Sequence, residues 1–402
     1  MPATDNILAL EKEGVSARIY LESLTGLRGI AAAWVALWHA WGFAGRPEYR
    51  IELGHLSFEL TPLIRTGWAG VDIFFVLSGF VLGLAYCQAW LGNRPPIRTG
   101  EYFRRRLLRV LPALWVQIAV LVLLLVAAGS QLPPLSEILS QALLTHNLLG
   151  SQKHQLNPVY WTLPVEFDFY LLLPLMALLV SPRRWPWLLL LGLAAVVGYR
   201  YALFHSLLAQ APTQEKVWWL NQLPGRIDQF LSGMTAAWIY SAIRQKGFRT
   251  SRVYRLRGVL LALGILGFAF MAWYIHRTQP IGATNVAGLT YWGGHWSLFF
   301  WHSLSGIFIA SIVLGAALGT RVTDYLLANR LILFLGIISY SLYLWHFPIV
   351  EWLSRQHLPP IVDGYPFFNR VAWAALPVVL VSALSYWLVE RPFLKIRHHV
   401  RS

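Results

Sequence analysis

The sequence is poor in charge and has almost no cysteine. Only 13% of its 402 residues are charged and 56% are hydrophobic, whereas a soluble domain usually carries about 25% charged residues. This composition excludes an ordinary soluble fold. Because Cys87 is the single cysteine, no intramolecular disulfide can form, and we expect it to pack as a small apolar side chain.

Acidic residues are also scarce. There are 18 Asp and Glu against 33 Lys and Arg, a net charge of +15, and the sequence pI is about 10.1. In a soluble protein this excess would raise the question of a nucleic-acid partner. Basic residues, however, collect in the cytoplasmic loops of membrane proteins. We therefore expect the protein to lie in a lipid bilayer and to have no nucleic-acid partner.

Long apolar runs are abundant, for example in 112–128 and 187–204. Runs of roughly 18 or more apolar residues indicate membrane-spanning helices. The sequence therefore predicts an all-α polytopic membrane protein with about ten transmembrane helices. The predicted spans are 24–43, 68–87, 111–128, 159–180, 185–204, 225–243, 256–275, 296–318, 331–352 and 370–389. Two shorter helices are predicted at 100–110 and 136–149.

The domain organisation follows from these spans. Residues 24–390 form one transmembrane domain between tails at 1–23 and 391–402. The first 22 residues lack the features of a cleavable signal, so we expect the first apolar stretch to remain as a helix. Most Lys and Arg residues fall on one side if both termini are cytoplasmic, and the two arginine-rich loops, 94–109 and 244–257, carry this assignment.

The first span contains two ionisable residues, Arg28 and His39. Eleven residues make three helical turns plus about 20°, so both side chains share one face, about 16 Å apart along the axis. Small residues such as Ala32 lie between them and leave room for a neighbouring helix or a long thin ligand. The alternative is that Arg28 extends to the cytoplasmic surface and His39 makes a structural hydrogen bond.

The second span opens with GVDIFFVLSGF, residues 70–80. Asp72 lies at the expected depth of His39, where a carboxylate would orient the imidazole. Ser78 and Gly79 allow close helix packing. The alternative is that Asp72 caps the start of its helix.

Four arginines occur within 104–109, ahead of Pro112. Arg106 and Arg109 are one turn apart. The planar fork of arginine suits bidentate contacts with phosphate, so an anion site competes here with ordinary cytoplasmic anchoring.

Residues 160–174, YWTLPVEFDFYLLLP, place two acids in an apolar segment. Glu166 and Asp168 are about 200° apart on a helix and cannot form one carboxylate pair. Thr162, Glu166 and Tyr170 share a face, which favours a polar site over simple packing.

A further polar stripe, Ser339, Tyr343 and His346, indicates a lined cavity or interhelical hydrogen bonds. Arg226 is a weaker candidate for lining such a cavity. His295 and His302 are two ligands at most, too few to define a metal site, so we expect no metal.

Together these segments resemble the membrane-bound acyltransferase family 3. The resemblance rests on the Arg-x10-His signature at Arg28 and His39, on GVDIFFVLSGF, and on Arg106 and Arg109 ahead of Pro112. It also rests on WTLPVEFDFY, where Thr162 replaces a serine, on SYSLYLWHFP, and on the closing VERPF.

The resemblance implies transfer of a short acyl group, often acetyl, from acyl-CoA as co-substrate to a hydroxyl of a carbohydrate or lipid-linked glycan. It implies a bacterial inner-membrane enzyme without a tightly bound cofactor. Some members carry an extra C-terminal esterase-like domain, for which we expect no room here.

Acyl transfer needs a base for the hydroxyl proton and a positive group for the developing oxyanion. We expect His39 as base or transient acyl carrier, oriented by Asp72 or Glu166. We expect the donor to bind Arg28, Arg106 and Arg109. The residues expected to line the cavity are Ser78, Tyr170, Arg226, Ser339, Tyr343 and His346. The rival function is a transporter or lipid-linked glycan flippase, which would carry inverted repeats; none is evident.

Overall fold

A computed structural model describes residues 22–91, 97–149, 155–179, 184–246, 252–278 and 297–396. Several sequence predictions fall outside these ranges. They concern most of the N-terminal tail, the end of the C-terminal tail, parts of the loops used for the orientation argument, and His295.

Helices dominate the described chain. The first eight α-helices are α1 Glu22–Phe43, α2 Thr61–Arg65, α3 Gly70–Trp90, α4 Thr99–Ala127, α5 Leu135–Ala142, α6 Thr162–Leu179, α7 Trp185–Ala202 and α8 Thr213–Leu220. The remainder are α9 Leu223–Lys246, α10 Arg252–Arg255, α11 Arg257–Thr278, α12 Ser297–Ala317, α13 Arg321–Leu327, α14 Arg330–Ile337, α15 Ser339–Ser354, α16 Pro366–Ser385 and α17 Arg391–Ile396. Short 3-10 turns occupy Thr66–Ala69, His146–Leu149 and Pro158–Trp161. Single π-helical turns lie at Leu203–Leu207 and Tyr386–Glu390.

One small hairpin departs from the predicted all-α architecture. Strands β1 (Arg50–Leu53) and β2 (Leu56–Glu59) pair antiparallel between α1 and α2, with Arg50 opposite Glu59. Glu59 also lies 2.9 Å from His276 at the end of α11. The hairpin therefore ties the α1–α2 connection to a distant helix.

By length and composition, six helical segments of the described chain are able to cross a membrane, or seven if the bent pair α14–α15 is one span. The chain is thus a multi-pass membrane protein. The three other predicted spans correspond to α1, α6 and α9, which do not meet this criterion. Helices α1 and α9 contain Arg28 and Arg226, and charged residues lower the hydropathy of a segment. The count of ten spans and the cytoplasmic termini stay predictions.

The predicted span 331–352 consists of two helices, α14 and α15, that meet at an angle of 77°. Within α15, Pro348 has no N–H, so the carbonyl of Leu344 loses its usual helical partner. Gln117 of α4 and Asn157 donate to this carbonyl at 2.6 and 2.9 Å. These bonds hold α4 and the start of α6 against α15, beside the cavity described below.

Helices α3 and α9 cross at two glycines. A Cβ atom on Gly79 would collide with the backbone of Phe230, and one on Gly233 would collide with the carbonyl of Val76. Small residues at such crossings let helix backbones approach closely in membranes. This contact fixes α9 beside α3 and brings Arg226 toward Asp72.

Substitution Gly79→Leu is expected to separate α3 from α9 and to destabilise the fold by about 1–3 kcal/mol, the usual cost of overpacking. Thermal unfolding of the purified protein in detergent measures this loss.

The matched control is Gly198→Leu in α7, because Gly198 has nothing within 4 Å of its Cβ position. Both substitutions raise helix propensity equally. Equal melting temperatures for the two variants would contradict the proposed close approach.

Candidate active site

A partly open cavity lies between α1, α3, α4, α6 and α15. Nine of the residues singled out in the sequence line it: Arg28, Ser78, Arg106, Arg109, Thr162, Glu166, Tyr170, Ser339 and Tyr343. They come from five helices that are far apart in sequence. The polar faces predicted separately for each helix therefore meet in one place.

The cavity lining carries more positive than negative charge. Arg28, Arg106 and Arg109 supply three guanidinium groups, and Glu166 is the one acid in the lining. Arg105 points elsewhere and pairs with Glu101, one turn earlier on α4. Within the described chain, the Nε atoms of Arg28 and Arg106 are buried without a hydrogen-bond partner. Buried donors without partners are unfavourable, so this side of the cavity is suited to an anion.

Glu166 faces the cavity from α6 and accepts a hydrogen bond from Ser78 of α3. Asp168, on the other side of α6, instead accepts a bond of 2.8 Å from Asn147. The two acids thus have separate environments, as their spacing requires.

Tyr343 separates the cavity from a pair of histidines. Its hydroxyl lies 2.9 Å from Oγ1 of Thr162 and donates to the carbonyl of Val159 at 3.0 Å. Its ring centroid is 5.8 Å from that of Phe74 on one side and 5.8 Å from that of His346 on another. Tyr343 is therefore a shared wall between the arginine-lined cavity and His346.

His39 and His346 form this pair. Nε2 of His346 lies 3.1 Å from Nδ1 of His39. His346 is fully buried, whereas His39 is partly exposed. Neither residue belongs to the lining of the arginine cavity, although we expected His346 there.

The expected carboxylate beside His39 is not found. Glu166 binds Ser78, and Asp72 lies in a separate cluster with Arg226. Helical periodicity did not predict that Asp72 faces Arg226 rather than His39. The N-cap residue of α3 is Ala69, which makes no side-chain cap bond, and Asp72 lies in the first turn of the helix.

The Asp72 cluster is almost completely buried. Arg226 Nη1 lies 3.0 Å from Asp72 Oδ1, and His302 Nδ1 lies 3.4 Å from Asp72 Oδ2. Arg226 also donates from Nε and Nη2 to Asn221 Oδ1 at 3.0 and 2.6 Å. Arg226 was expected to line the cavity, but these bonds hold it outside the lining.

A second buried ion pair was missed in the sequence. Arg200 of α7 lies 2.8 Å from Asp228 of α9, with both side chains fully buried. Arg200 also donates to the carbonyl of Gly225. The sequence did contain a signal for this pair, because an arginine such as Arg200 inside an apolar run requires a partner. Glu390, which accepts from Ser341 of α15, was likewise not assigned from the VERPF motif.

The described residues contain no group of three or more His, Cys, Asp and Glu that could hold a metal ion. His302 is near Asp72 and Arg226, and His295 lies outside the described ranges.

The helices and the cavity define a multi-pass membrane protein in which an arginine-lined cavity lies next to a pair of histidines. A family model described as "Acyltransferase domain" (Acyl_transf_3) matches residues 21–389. The chain therefore belongs to this acyltransferase family, and the family resemblance seen in the sequence is confirmed.

Curated relatives cover nearly all of this chain. The peptidoglycan O-acetyltransferase OatA of Listeria monocytogenes is 25% identical over 394 residues, which is 94% of this chain and 56% of the relative. The O-acetyltransferase OatA of Staphylococcus aureus is 23% identical, covering 94% and 57%. A putative peptidoglycan O-acetyltransferase, YrhL of Bacillus subtilis, is 25% identical, covering 93% and 55%.

The chain thus spans about half the length of the curated relatives it matches. No solved structure is significantly similar to it.

Substitution Asp72→Ala is expected to destabilise the protein by about 3–5 kcal/mol, because it leaves the Arg226 cation buried without its carboxylate. Thermal unfolding in detergent measures this effect.

The control is Asp363→Ala, which removes an exposed acid and is expected to shift stability by no more than about 0.5 kcal/mol. Similar melting temperatures for the Asp72 and Asp363 variants would show that the buried ion pair does not stabilise the fold.

Proposed function

We propose that this chain transfers an acetyl group from acyl-CoA to a hydroxyl of a cell-envelope glycan. The observation that carries the proposal is the convergence of Arg28, Arg106 and Arg109 on one cavity among apolar helices. A cationic cavity at such a position costs free energy unless an anion enters it. The phosphates of acyl-CoA are suitable anions.

The arginines suit phosphate for a geometric reason as well. A guanidinium forms two parallel hydrogen bonds with phosphate oxygens, which a lysine cannot do. Arg106 and Arg109 are one turn apart and present such forks from one helix to the same cavity. The buried Nε donors of Arg28 and Arg106 would gain partners when the donor binds.

Length supports a donor that runs along α1. The pantetheine arm of CoA is an extended chain of about a dozen bonds, which reaches roughly 14 Å at the advance per bond of an extended peptide. Arg28 and His39 are about 16 Å apart along α1. A donor with a phosphate at Arg28 would therefore be long enough for its thioester to reach past Tyr343 toward His39.

In the proposed reaction, His39 takes the proton of the acceptor hydroxyl as this oxygen attacks the thioester carbonyl carbon. The carbon–sulfur bond then breaks, and the CoA sulfur receives the proton from the imidazolium. The alternative, a transient acyl group on His39, would give ping-pong kinetics.

The acceptor class rests on the relatives. Those compared are named as O-acetyltransferases, two of them as acting on peptidoglycan. A β-1,4-linked amino-sugar glycan is therefore the acceptor to test first. We propose the bacterial inner membrane as the location, with the donor entering from the cytoplasmic face and both termini on that face.

The activity is tested with purified protein in liposomes, labelled acetyl-CoA and chitotetraose as the glycan probe. Labelled glycan together with free CoA thiol is the expected result. A transporter or flippase would instead move a labelled lipid-linked glycan without thiol release.

The double substitution Arg106→Ala with Arg109→Ala is expected to raise the KM for acetyl-CoA at least about tenfold, because hydrogen bonds to charged groups contribute roughly 1.5–3 kcal/mol each. Initial-rate kinetics of thiol release measure the change.

The control is Arg104→Ala, which removes an exposed arginine from the same helix. If the double variant has the same KM as this control, Arg106 and Arg109 do not bind the donor and serve only as basic residues that orient the protein in the membrane.

Substitution His39→Ala is expected to lower acetyl transfer by roughly 10²–10⁴-fold, the usual contribution of a general base, with unchanged yield of folded protein. The measurement is labelled acetyl transfer at saturating acetyl-CoA. His357→Ala, an exposed histidine, is the control, and full activity of the His39 variant would remove His39 from the mechanism.

A further inference from the structure

The histidine pair allows the hydrogen-bonding role of each ring nitrogen to be assigned. His346 belongs to α15, and its Nδ1 lies 3.1 Å from the carbonyl oxygen of Leu342. A carbonyl oxygen only accepts, so the hydrogen of a neutral His346 is on Nδ1. Its Nε2 therefore carries a lone pair, and this atom faces His39.

The same argument applies to His39. Its Nδ1 lies 3.0 Å from the carbonyl oxygen of Val35 and 3.1 Å from Nε2 of His346. Both neighbours are acceptors, so Nδ1 of His39 carries the hydrogen and shares it between them. Nε2 of a neutral His39 is then the unprotonated nitrogen.

We propose that His346 is the positioning residue of the acyl transfer, holding His39 in the tautomer whose Nε2 accepts the hydroxyl proton. This inference rests on the proposed function, since it assigns a partner to the base of that reaction.

The role resembles that of the buried acid in a Ser-His-Asp triad, which fixes the tautomer and orientation of the imidazole and stabilises the imidazolium. When Nε2 of His39 takes a proton, the bond from its Nδ1–H to His346 becomes charge-assisted and therefore stronger. His346 thus favours the protonated state through which the reaction passes.

A neutral partner for His39 is suited to a buried position. His346 is fully buried, and a carboxylate there would need its own counter-charge. The imidazole supplies a lone pair without adding a charge to the resting protein. Aromatic contacts help to hold the base, because the His39 ring lies 4.6 Å from Trp38 and 5.0 Å from Phe347, between ring centroids.

The position of His346 also separates its effect from donor binding. It does not line the arginine cavity, and Tyr343 lies between them. A loss of His346 function should therefore lower kcat and leave the KM for acetyl-CoA unchanged, since an interaction specific to the transition state affects kcat.

The experiment compares two side chains of similar length, His346→Met and His346→Gln. Methionine has no strong acceptor, whereas the amide oxygen of glutamine can accept from His39 in place of the imidazole nitrogen. Both variants are assayed in liposomes with acetyl-CoA and chitotetraose, and both are checked for thermal unfolding. His346→Leu is a second variant without an acceptor, to be used if the methionine variant does not fold.

We expect His346→Met to lower kcat at least about tenfold, part of the 10²–10⁴-fold usually contributed by a general base. The KM for acetyl-CoA should not change, and His346→Gln should recover most of the lost turnover. Wild-type kcat in the methionine variant would overturn the inference. Equally low kcat in both folded variants would also overturn it, because packing rather than the acceptor would then explain the loss.

Failure of the inference is distinguishable from failure of the proposed function. If His39→Ala lacks activity while His346→Met retains full kcat, only the role of His346 is wrong. If the wild-type protein releases no thiol and labels no glycan, the proposed function itself is wrong.

Discussion

Charge inside apolar helices is the constraint on which the arrangement of this protein depends. A charged side chain at the centre of a bilayer costs at least about 2.5–3.5 kcal/mol unless the protein surrounds it with partners. Arg200 meets this requirement with Asp228, and Arg226 meets it with Asp72. These pairs join α7 to α9 and α3 to α9. The three arginines of the cavity, in contrast, have Glu166 in the lining and the buried Glu390 near Arg28 and Arg109. Under the proposed function, the charge that these two acids leave over is met by the phosphates of the donor.

The close approach of two helices makes the pair between Arg226 and Asp72 possible. The contacts at Gly79 and Gly233 bring α3 and α9 together, and Arg226 then reaches Asp72 from the start of α9. The unpaired carbonyl of Leu344, a consequence of Pro348, similarly draws Gln117 and Asn157 to α15. Residues that weaken a single helix thus position the neighbouring helices around the cavity.

The sequence predicted the helices and the members of the cavity better than it predicted their partners. Periodicity correctly placed Thr162, Glu166 and Tyr170 on one face, and that face lines the cavity. Periodicity says which side chains share a face, but not which helix that face meets. For this reason Asp72 was assigned to His39 when its partner is Arg226, 154 positions away.

The hydropathy of single segments has a related limit. Helices α1, α6 and α9 are not among the candidate membrane spans, although α1 and α6 supply Arg28 and Glu166 to the cavity. Hydropathy alone therefore does not identify every helix that supplies the cavity. Only the packing of neighbouring helices, which sequence does not supply, offsets their polarity.

The choice of a histidine as the partner of His39 follows from the same constraint. A carboxylate in place of His346 would add a charge to the buried part of α15 and would need its own counter-charge. The neutral His346 accepts the Nδ1 hydrogen without either effect. In the proposed mechanism the arginine cavity binds the donor and the histidine pair transfers the proton, with Tyr343 between them. Under that mechanism, the separation of anion binding from proton transfer follows from how charge is distributed among the helices.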